Sequence, residues 1–368
     1  MACRQLDAVC VGLPWHVQYL TGFLPKWLHQ AAAIVFADGQ VILVACNGTQ
    51  ALADQLKNTA LPTSEYPFAV DQIIEFEPSW MSTLRQEQPQ TVARLIVTAL
   101  QTRKCIRFAT DTSIVSDAVR EIAEGSCGKK IERIDSDLWQ LRRRKESDEL
   151  ALMKMAIFAC EEMYEKARHL IEPGISELEV FCELHRTAVF TTGEPMTALL
   201  GNDFACGVAG GAARDNRPAK AGELYILDLG PTYRGFFSDN ARVISVDRKP
   251  TDAQYQAWGH IVQALRIVES LARPGVRCRD IFSAVDEHFK QTRNTGMGHH
   301  LGHGVGLQPH EYPHLNPNWN DVLEVGDIFT AEPGQYSPDL NGGIRLENQY
   351  RVTEFGVECL VNSSLELT

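Results

Sequence analysis

The sequence predicts an α+β protein of two domains, an α/β domain over residues 1–136 followed by a larger α+β domain over residues 137–368. A chain of 368 residues is longer than a domain with a single hydrophobic core usually is. The front segment alternates strand-like and helix-like runs, which is typical of an α/β layer arrangement. The rear segment instead repeats one order of elements, two helices and then strands, at an interval of about a hundred residues.

In the front segment, apolar runs predict strands at 31–45, 95–100 and 105–111, and a helical pattern occupies 113–125. This segment brings no histidines, aspartates and glutamates into one short stretch. We therefore assign it no chemistry.

The rear segment begins with a basic run, 142–145, which we interpret as a solvated connector. Ser147 then suits the N-cap of a long helix that reaches Leu170, with acids in its first turn. A capping box from Ser176 to Glu179 predicts the start of a second helix. Strands are predicted at 223–230 and 235–246.

The same order then recurs, with helices at 251–272 and 274–290 and strands at 328–336 and 344–353. "IEPGISELEV" matches "ARPGVRCRDI", "LDLG" matches "AEPG", and "SDNARV" matches "LENQYRV". The repeat predicts pseudo-twofold symmetry, in which each half contributes two carboxylates at equivalent places.

Composition excludes several classes of partner. The formal net charge of -12 argues against a nucleic-acid partner, which needs a basic surface. No apolar run approaches the roughly 18 residues of a membrane span, and Asp7 interrupts the start where a secretion signal would be apolar. Ten cysteines without a CxxC pair fit reduced thiols, so we expect a cytoplasmic protein.

The repeated carboxylates are Asp228, Asp239, Glu332 and Glu347, and all four stand in strand-like, apolar surroundings. Ionised acids there are costly unless each is paired with an arginine or all of them bind metal. Four acids at equivalent positions of the repeat, near a cluster of histidines, favour a metal-binding site over separate pairing with arginines. Carboxylates with one imidazole suit manganese, cobalt, iron or magnesium, and four acids are enough to bridge two ions.

These motifs resemble the pita-bread metallopeptidase family, which includes prolidase, aminopeptidase P, methionine aminopeptidase and the metal-free creatinases. The resemblance covers residues 147–364 and rests on "LDLGPTYRGFFSDNARV", "GHHLGHGVGLQPHEYP", "TAEPGQY" and "GIRLENQYRVTEFGVECL". The front segment resembles the creatinase-type N-terminal domain at "VQYLTGF". The resemblance therefore implies a pita-bread domain after a creatinase-type domain, and favours the proline-directed branch.

The resemblance also implies a site with two divalent ions. His303 and Glu332 would hold one ion, Asp228 the other, and Asp239 and Glu347 would bridge them. Manganese fits best, with cobalt, zinc or iron as alternatives. Three glycines of the motif would let the backbone approach the metals: Gly302, Gly304 and Gly306.

By the same resemblance, His310 faces the substrate near the scissile carbonyl, and His299 falls at a second substrate-side position. Arg345 matches an arginine that supports the site. His300 and His314 are expected to have structural or solvent roles only.

The implied mechanism is hydrolysis by a hydroxide that bridges the metals, because two cations can lower the pKa of a shared water from about 15.7 to about 7. Glu332 would take the proton and pass it to the leaving nitrogen. His310 would donate to the developing oxyanion.

The sequence departs from the proline-directed pattern at one place. Those relatives carry a histidine about seventeen residues before the first aspartate, whereas no histidine lies between Gly201 and Asp228 here. The equivalent position is near Gly211. The glycine-rich loop could instead present Arg214, which would favour a substrate with a carboxylate.

Three functions therefore stay open. The first is a peptidase that cleaves Xaa-Pro bonds in a small peptide, and it is the one that we favour. The second is a hydrolase or lyase of the same fold that acts on a small non-peptide metabolite. The third is an inactive relative that acts by binding. Family habit also suggests a homodimer.

Overall fold

The computed structural model describes residues 1–26, 28–58, 69–127, 131–198, 203–293 and 295–368. They form two compact units, Met1–Arg142 and Arg143–Thr368. The division falls a few residues after the expected boundary between 136 and 137.

The first unit is built on a six-stranded sheet, whose strands lie in the order 72–76, 41–46, 32–36, 8–11, 108–110 and 132–133. Its helices are α1 (Pro14–Thr21), α2 (Thr49–Asn58), α3 (Gln88–Thr102), α4 (Ile114–Cys127) and α5 (Asp135–Arg142). Its strands are β1 (Ala8–Val11), β2 (Ala32–Phe36), β3 (Val41–Cys46), β4 (Gln72–Phe76), β5 (Ser79–Trp80), β6 (Thr83–Leu84), β7 (Phe108–Thr110) and β8 (Glu132–Arg133). Strands β5 and β6 form a separate hairpin. The sheet is mixed, because β1 pairs antiparallel with β2 but parallel with β7.

One strand predicted in this unit is a helix. Residues 95–100 lie within α3, whose buried residues recur at helical spacing: Val92, Ala93, Ile96, Val97 and Leu100. The apolar run "LIVTAL" is short, so the period of the flanking residues decides between strand and helix. The prediction of a strand here was wrong because it ignored the residues before the run.

The second unit begins with a helix pair, α6 (Ser147–Leu170) and α7 (Glu177–Thr192). The predicted length of α6 is confirmed, but its N-cap is Glu146, which forms a capping box with Glu149. The N-cap of α7 is Ser176, as predicted, and its side chain accepts a hydrogen bond from the Glu179 amide. A second pair follows after four strands: α8 (Asp252–Leu271) and α9 (Cys278–Arg293).

The strands of this unit repeat in the same way. The first half holds β9 (Leu224–Leu229), β10 (Thr232–Tyr233), β11 (Phe236–Phe237) and β12 (Asn240–Ser245). The second half holds β13 (Gly302–Gly304), β14 (Glu311–Leu315), β15 (Ile328–Ala331), β16 (Gly334–Ser337), β17 (Gly342–Arg345), β18 (Asn348–Val352) and β19 (Val357–Cys359). Strands β9 and β12 pair antiparallel, as do β15 and β18 in a five-stranded sheet. The order of elements that the repeat predicts is confirmed.

Strand β9 separates two hydrophobic cores. Tyr225 and Leu227 point to a core with α6 and α7, whereas Leu224 and Ile226 point to a core with α8 and α9. Because side chains alternate along a strand, Asp228 continues the second face. The acid thus stands at the end of a strand between the two halves of the repeat.

The basic run 142–145 is not a solvated connector. Arg143 and Lys145 are buried, and each is paired with a buried acid. The Arg143 guanidinium lies 2.6 Å from Asp327, and the Lys145 ammonium lies 3.3 Å from Glu311. Charged side chains can be buried when such partners neutralise them, and sequence spacing did not reveal partners so distant in the chain.

Among the described residues, no helix is long and apolar enough to cross a membrane.

Candidate functional site

The four repeated acids converge on one cavity of about 700 Å³ in the second unit. Asp228 ends β9, and Asp239 stands between β11 and β12. Glu332 directly follows β15, and Glu347 directly precedes β18. The Glu347 amide donates to the Ala241 carbonyl at 3.0 Å, which ties β18 to β12 and so joins the two halves of the repeat at the cavity.

His303, on β13, is the imidazole that joins these acids. Its Nδ1 donates to the Gly304 carbonyl at 3.0 Å, so Nε2 is the ring nitrogen that faces the acids. That Nε2 lies 3.4 Å from Glu332 and 3.7 Å from Asp239. Asp239, His303 and Glu347 each offer a ligand atom within 4.8 Å of the others.

The shifted pKa values of these acids, and the missing hydrogen-bond partners of Glu347 in the described part of the chain, favour a bound cation. Burial and the neighbouring carboxylates raise the pKa of Asp239 and of Glu347 well above the usual values. Burial raises the pKa of Asp228 to about 6, although Arg345 opposes the shift. Both carboxylate oxygens of Glu347 are buried and have no hydrogen-bond partner among the described residues. Buried carboxylates that repel one another and lack hydrogen-bond partners, next to an imidazole nitrogen, are suitable ligands for divalent metal ions.

Glu332 behaves differently from the other three acids. Burial would raise its pKa, but the imidazoles of His300 and His303 reverse that effect and hold the pKa well below its usual range. The contact with His300 is close, at 2.7 Å between Nε2 and Oε1. Glu332 is therefore an anion that is already oriented by protein groups.

Arg345 holds one wall of the cavity through three partners. Its guanidinium donates to Asp228 at 2.7 Å and to the Tyr336 hydroxyl at 3.1 Å, and it also donates to Asp203. The acids raise its pKa further, so it is a permanent cation. The Tyr336 hydroxyl in turn lies 3.0 Å from the His299 ring, so a chain of hydrogen bonds joins β9, β16 and β17.

The histidines expected on the substrate side both line the cavity. His310 stacks on His303 with ring centroids 3.7 Å apart, and partial burial together with its imidazole neighbours lowers its pKa to about 4. His299 is fixed at both ring nitrogens, by the His300 carbonyl and by Tyr336.

His300 was expected to have no chemical role, but it also lines the cavity, where it contacts Glu332. The chain bends before β13, and both His299 and His300 line the cavity. His314 fits its expected structural role, since its ring bonds to Asp321 at 2.9 Å and stacks on Trp319.

The glycines of the histidine motif allow close packing with neighbouring segments of the chain. A Cβ at Gly302 would lie 1.9 Å from the Thr330 carbonyl oxygen, and one at Gly304 would lie 1.9 Å from that of Tyr312. At Gly306 a Cβ would meet the Lys145 side chain.

The structure does not bring Arg214 to the cavity. Its guanidinium binds Glu177, with contacts of 2.5 and 3.0 Å, and it also donates to the Cys206 carbonyl at 2.6 Å. Glu177 is fully buried at the start of α7, so its charge needs this partner. The expected contact between Arg214 and a substrate carboxylate has no geometric support, because an internal acid already occupies the guanidinium.

Two further residues of the site were missed: Asp203, which lines the cavity, and Tyr336, which contacts the lining residues Arg345 and His299. Tyr336 lies in the quoted motif "TAEPGQY", so its proximity to Glu332 in sequence was a usable signal. Asp203 had no such signal: it reaches the site because its backbone bridges to Asp228 and its carboxylate contacts Arg345.

Comparisons with known proteins agree with this geometry. Residues 151–354 match the family model of metallopeptidase family M24. The chain is 29% identical over 255 residues to a Xaa-Pro dipeptidase of Pyrococcus furiosus, covering 68% of this chain and 72% of that protein. It is 26% identical over 264 residues to the uncharacterised peptidase YqhT of Bacillus subtilis, covering 71% of this chain and 70% of that protein.

Solved structures extend the likeness of fold to the whole chain. The prolidase of Pyrococcus horikoshii OT3 superposes with a TM-score of 0.79 at 21% identity, covering 100% of this chain and 97% of that one. The X-Pro aminopeptidase of Thermotoga maritima MSB8 superposes with a TM-score of 0.81 at 21% identity, covering 100% and 96%. These structures have the pita-bread fold, so the predicted fold class is confirmed.

The family model covers more than half of the chain, and its match contains the four acids and the imidazole that converge on the cavity. This chain belongs to metallopeptidase family M24 and is a metallopeptidase.

Proposed function

We propose that the chain hydrolyses the peptide bond before proline in small peptides, using two divalent metal ions. The observation that carries the proposal is the convergence of four carboxylates, two from each half of the repeat, on the cavity that His303 also lines. Several relatives of this chain are Xaa-Pro dipeptidases by name, including that of Pyrococcus furiosus. Their names support the choice of a bond before proline.

In this proposal the two ions would be held by one imidazole, that of His303, and by the four acids Asp228, Asp239, Glu332 and Glu347. Manganese suits a donor set of oxygens with one imidazole, and cobalt, iron or zinc are the alternatives. Bound together, the ions would supply hydroxide at neutral pH by lowering the pKa of a shared water to about 7.

The protein groups do the rest of the work. Glu332 takes up a proton and delivers it to the leaving nitrogen, and its contact with His300 holds the carboxylate in place. His310 is neutral at pH 7 because its pKa is about 4, so it can donate one N–H to the carbonyl oxygen as negative charge develops there. Arg345 fixes the Asp228 carboxylate.

The test is a panel of Xaa-Pro dipeptides, Xaa-Pro-Xaa tripeptides and peptides without proline. Each is incubated with Mn²⁺-loaded protein, and the products are read by mass. Metal-dependent release of the residue before proline is the expected result. Bound metal without cleavage of any peptide would reject the proposal and would direct attention to small non-peptide substrates.

Two further proposals accompany the function. We infer a homodimer, which sedimentation would test, and a cytoplasmic location, which fractionation of the source cell would test. Neither affects the chemistry of the cavity.

A further inference from the structure

The cavity holds a fifth carboxylate, that of Asp203, which is outside the proposed metal ligands. Its backbone carbonyl accepts from the Asp228 amide at 3.1 Å, so it sits beside the end of β9. Its side chain contacts Arg345 and accepts from the Gly211 amide at 2.5 Å, and it remains 15% exposed. It is thus a partly accessible anion on the cavity wall.

The loop that carries Gly211 is shaped around this carboxylate. A Cβ at Gly210 would lie 2.6 Å from Asp203 Oδ2, so only glycine allows the contact. Gly210 and Gly211 have φ of +140° and +125°, which L side chains rarely adopt. The loop therefore presents backbone amide rather than a side chain to Asp203.

Among the described residues that line the cavity, no cation is free to pair with an anionic substrate group. Four acids are the proposed ligands, and two divalent ions would balance their charge. Among the described lining residues the permanent cation is Arg345, and Asp203 and Asp228 already share it. Arg214, on the same loop, is held by Glu177.

We propose that this cavity selects peptides in which the proline carbonyl continues into an amide, and disfavours dipeptides that end in a free proline carboxylate. A carboxylate on proline would lie next to the bond to be cleaved. Asp203 would repel it, because Arg345, the cation beside that acid, is already shared with Asp228. Asp203 is then a specificity-determining residue, and the inference rests on the proposed cleavage before proline.

The test uses substrates that differ only in this charge: Ala-Pro, Ala-Pro-NH₂ and Ala-Pro-Ala. We expect kcat/KM for the amide and the tripeptide to exceed that for the dipeptide by about tenfold or more, mainly through KM, as one like-charge contact of a few ångströms predicts. This comparison needs no variant. Equal or faster cleavage of Ala-Pro would overturn the inference and leave the proposed function intact.

A variant then assigns the effect to Asp203. Asp203→Asn removes the charge and releases part of Arg345, so the preference for the amide should shrink severalfold as KM for Ala-Pro falls. The matched control is Asp215→Asn, an exposed acid on the same loop, which should leave the ratio unchanged. An unchanged ratio in Asp203→Asn would contradict the role of this residue.

A binding measurement separates failure of the inference from failure of the proposed function. Calorimetric titration of the Mn²⁺-loaded protein with prolinamide and with proline requires no turnover. Tighter binding of prolinamide supports charge selection even if none of the three peptides is cleaved, in which case the proposed function alone fails. Proline binding as tightly as prolinamide, or no binding of either compound, would overturn the inference.

Discussion

Replacement of Asp239 by asparagine should have opposite effects on the metal-free and the metal-loaded protein. Asp239 and Glu347 offer oxygens within 4.8 Å of each other, and both pKa values are raised because burial and neighbouring acids penalise their ionisation. Asparagine has nearly the same size but cannot ionise. The change therefore removes repulsion when no metal is bound and removes a ligand charge when metal is bound.

Coulomb's law sets the scale of the first effect. Two charges 4.8 Å apart repel by about 3.5 kcal/mol at an effective dielectric constant of about 20. The gain in unfolding free energy is smaller, about 1–3 kcal/mol, because the acids relieve part of the repulsion by binding protons. For a domain of 150–250 residues this corresponds to about 2–4 °C in Tm per kcal/mol.

The assay is thermal unfolding at pH 7.5 of wild type and Asp239→Asn, each with chelator and with saturating Mn²⁺, together with peptide hydrolysis. We expect the variant to have the higher Tm in chelator, a smaller rise in Tm with Mn²⁺, and no hydrolysis. Asp215→Asn serves as the control for loss of one negative charge. Full activity in Asp239→Asn, or an undiminished rise in its Tm with Mn²⁺, would refute the assignment of this residue as a ligand.

Three other predictions follow from the geometry. His300→Ala should lower kcat by about tenfold to a hundredfold with little change in KM, because Glu332 loses the imidazole that orients it. His300→Gln should retain more activity than His300→Ala. Equal kcat in the wild type and both variants would contradict this role. Arg214→Ala should leave KM unchanged but lower the unfolding free energy by about 2 kcal/mol in urea denaturation, because Glu177 stays buried without its partner. A selective rise in KM for substrates with a carboxylate would instead show that Arg214 contacts the substrate. In chelator, the unfolding free energy should fall as pH rises from about 4 to about 7. Asp228 has a folded-state pKa raised to about 6, so over this range it stays protonated in the folded protein after it has ionised in the unfolded chain. An unfolding free energy that instead rises over this range would show that other groups dominate.

The metal-ligand candidates were accessible from sequence for a physical reason. An ionisable group inside an apolar strand is costly, so Asp228 in "LYILD" and Glu332 in "DIFTAE" stand out from their neighbours. The repeat doubled that signal by placing Asp239 and Glu347 at equivalent positions. Of the two predicted N-caps, Ser176 was correct, because capping is local, whereas the N-cap of α6 is Glu146, one residue before the predicted Ser147.

Short apolar runs and basic runs were less informative. The run at 95–100 suits a strand or a helix until the residues from Gln88 onward are counted. Arg143 and Lys145 lie in a run that looks solvated, but both are buried and form ion pairs with acids far away in sequence, Asp327 and Glu311.

The sequence by itself determined the class of this protein and its set of acids, because strand periodicity, capping and the cost of buried charge act over short stretches of chain. Only the tertiary structure decided which side chains surround those acids. His300 turned inward onto Glu332, Arg214 was bound by Glu177, and Asp203 reached Arg345 across the cavity. Each of these contacts joins residues more than thirty positions apart, so the path of the backbone between elements sets them.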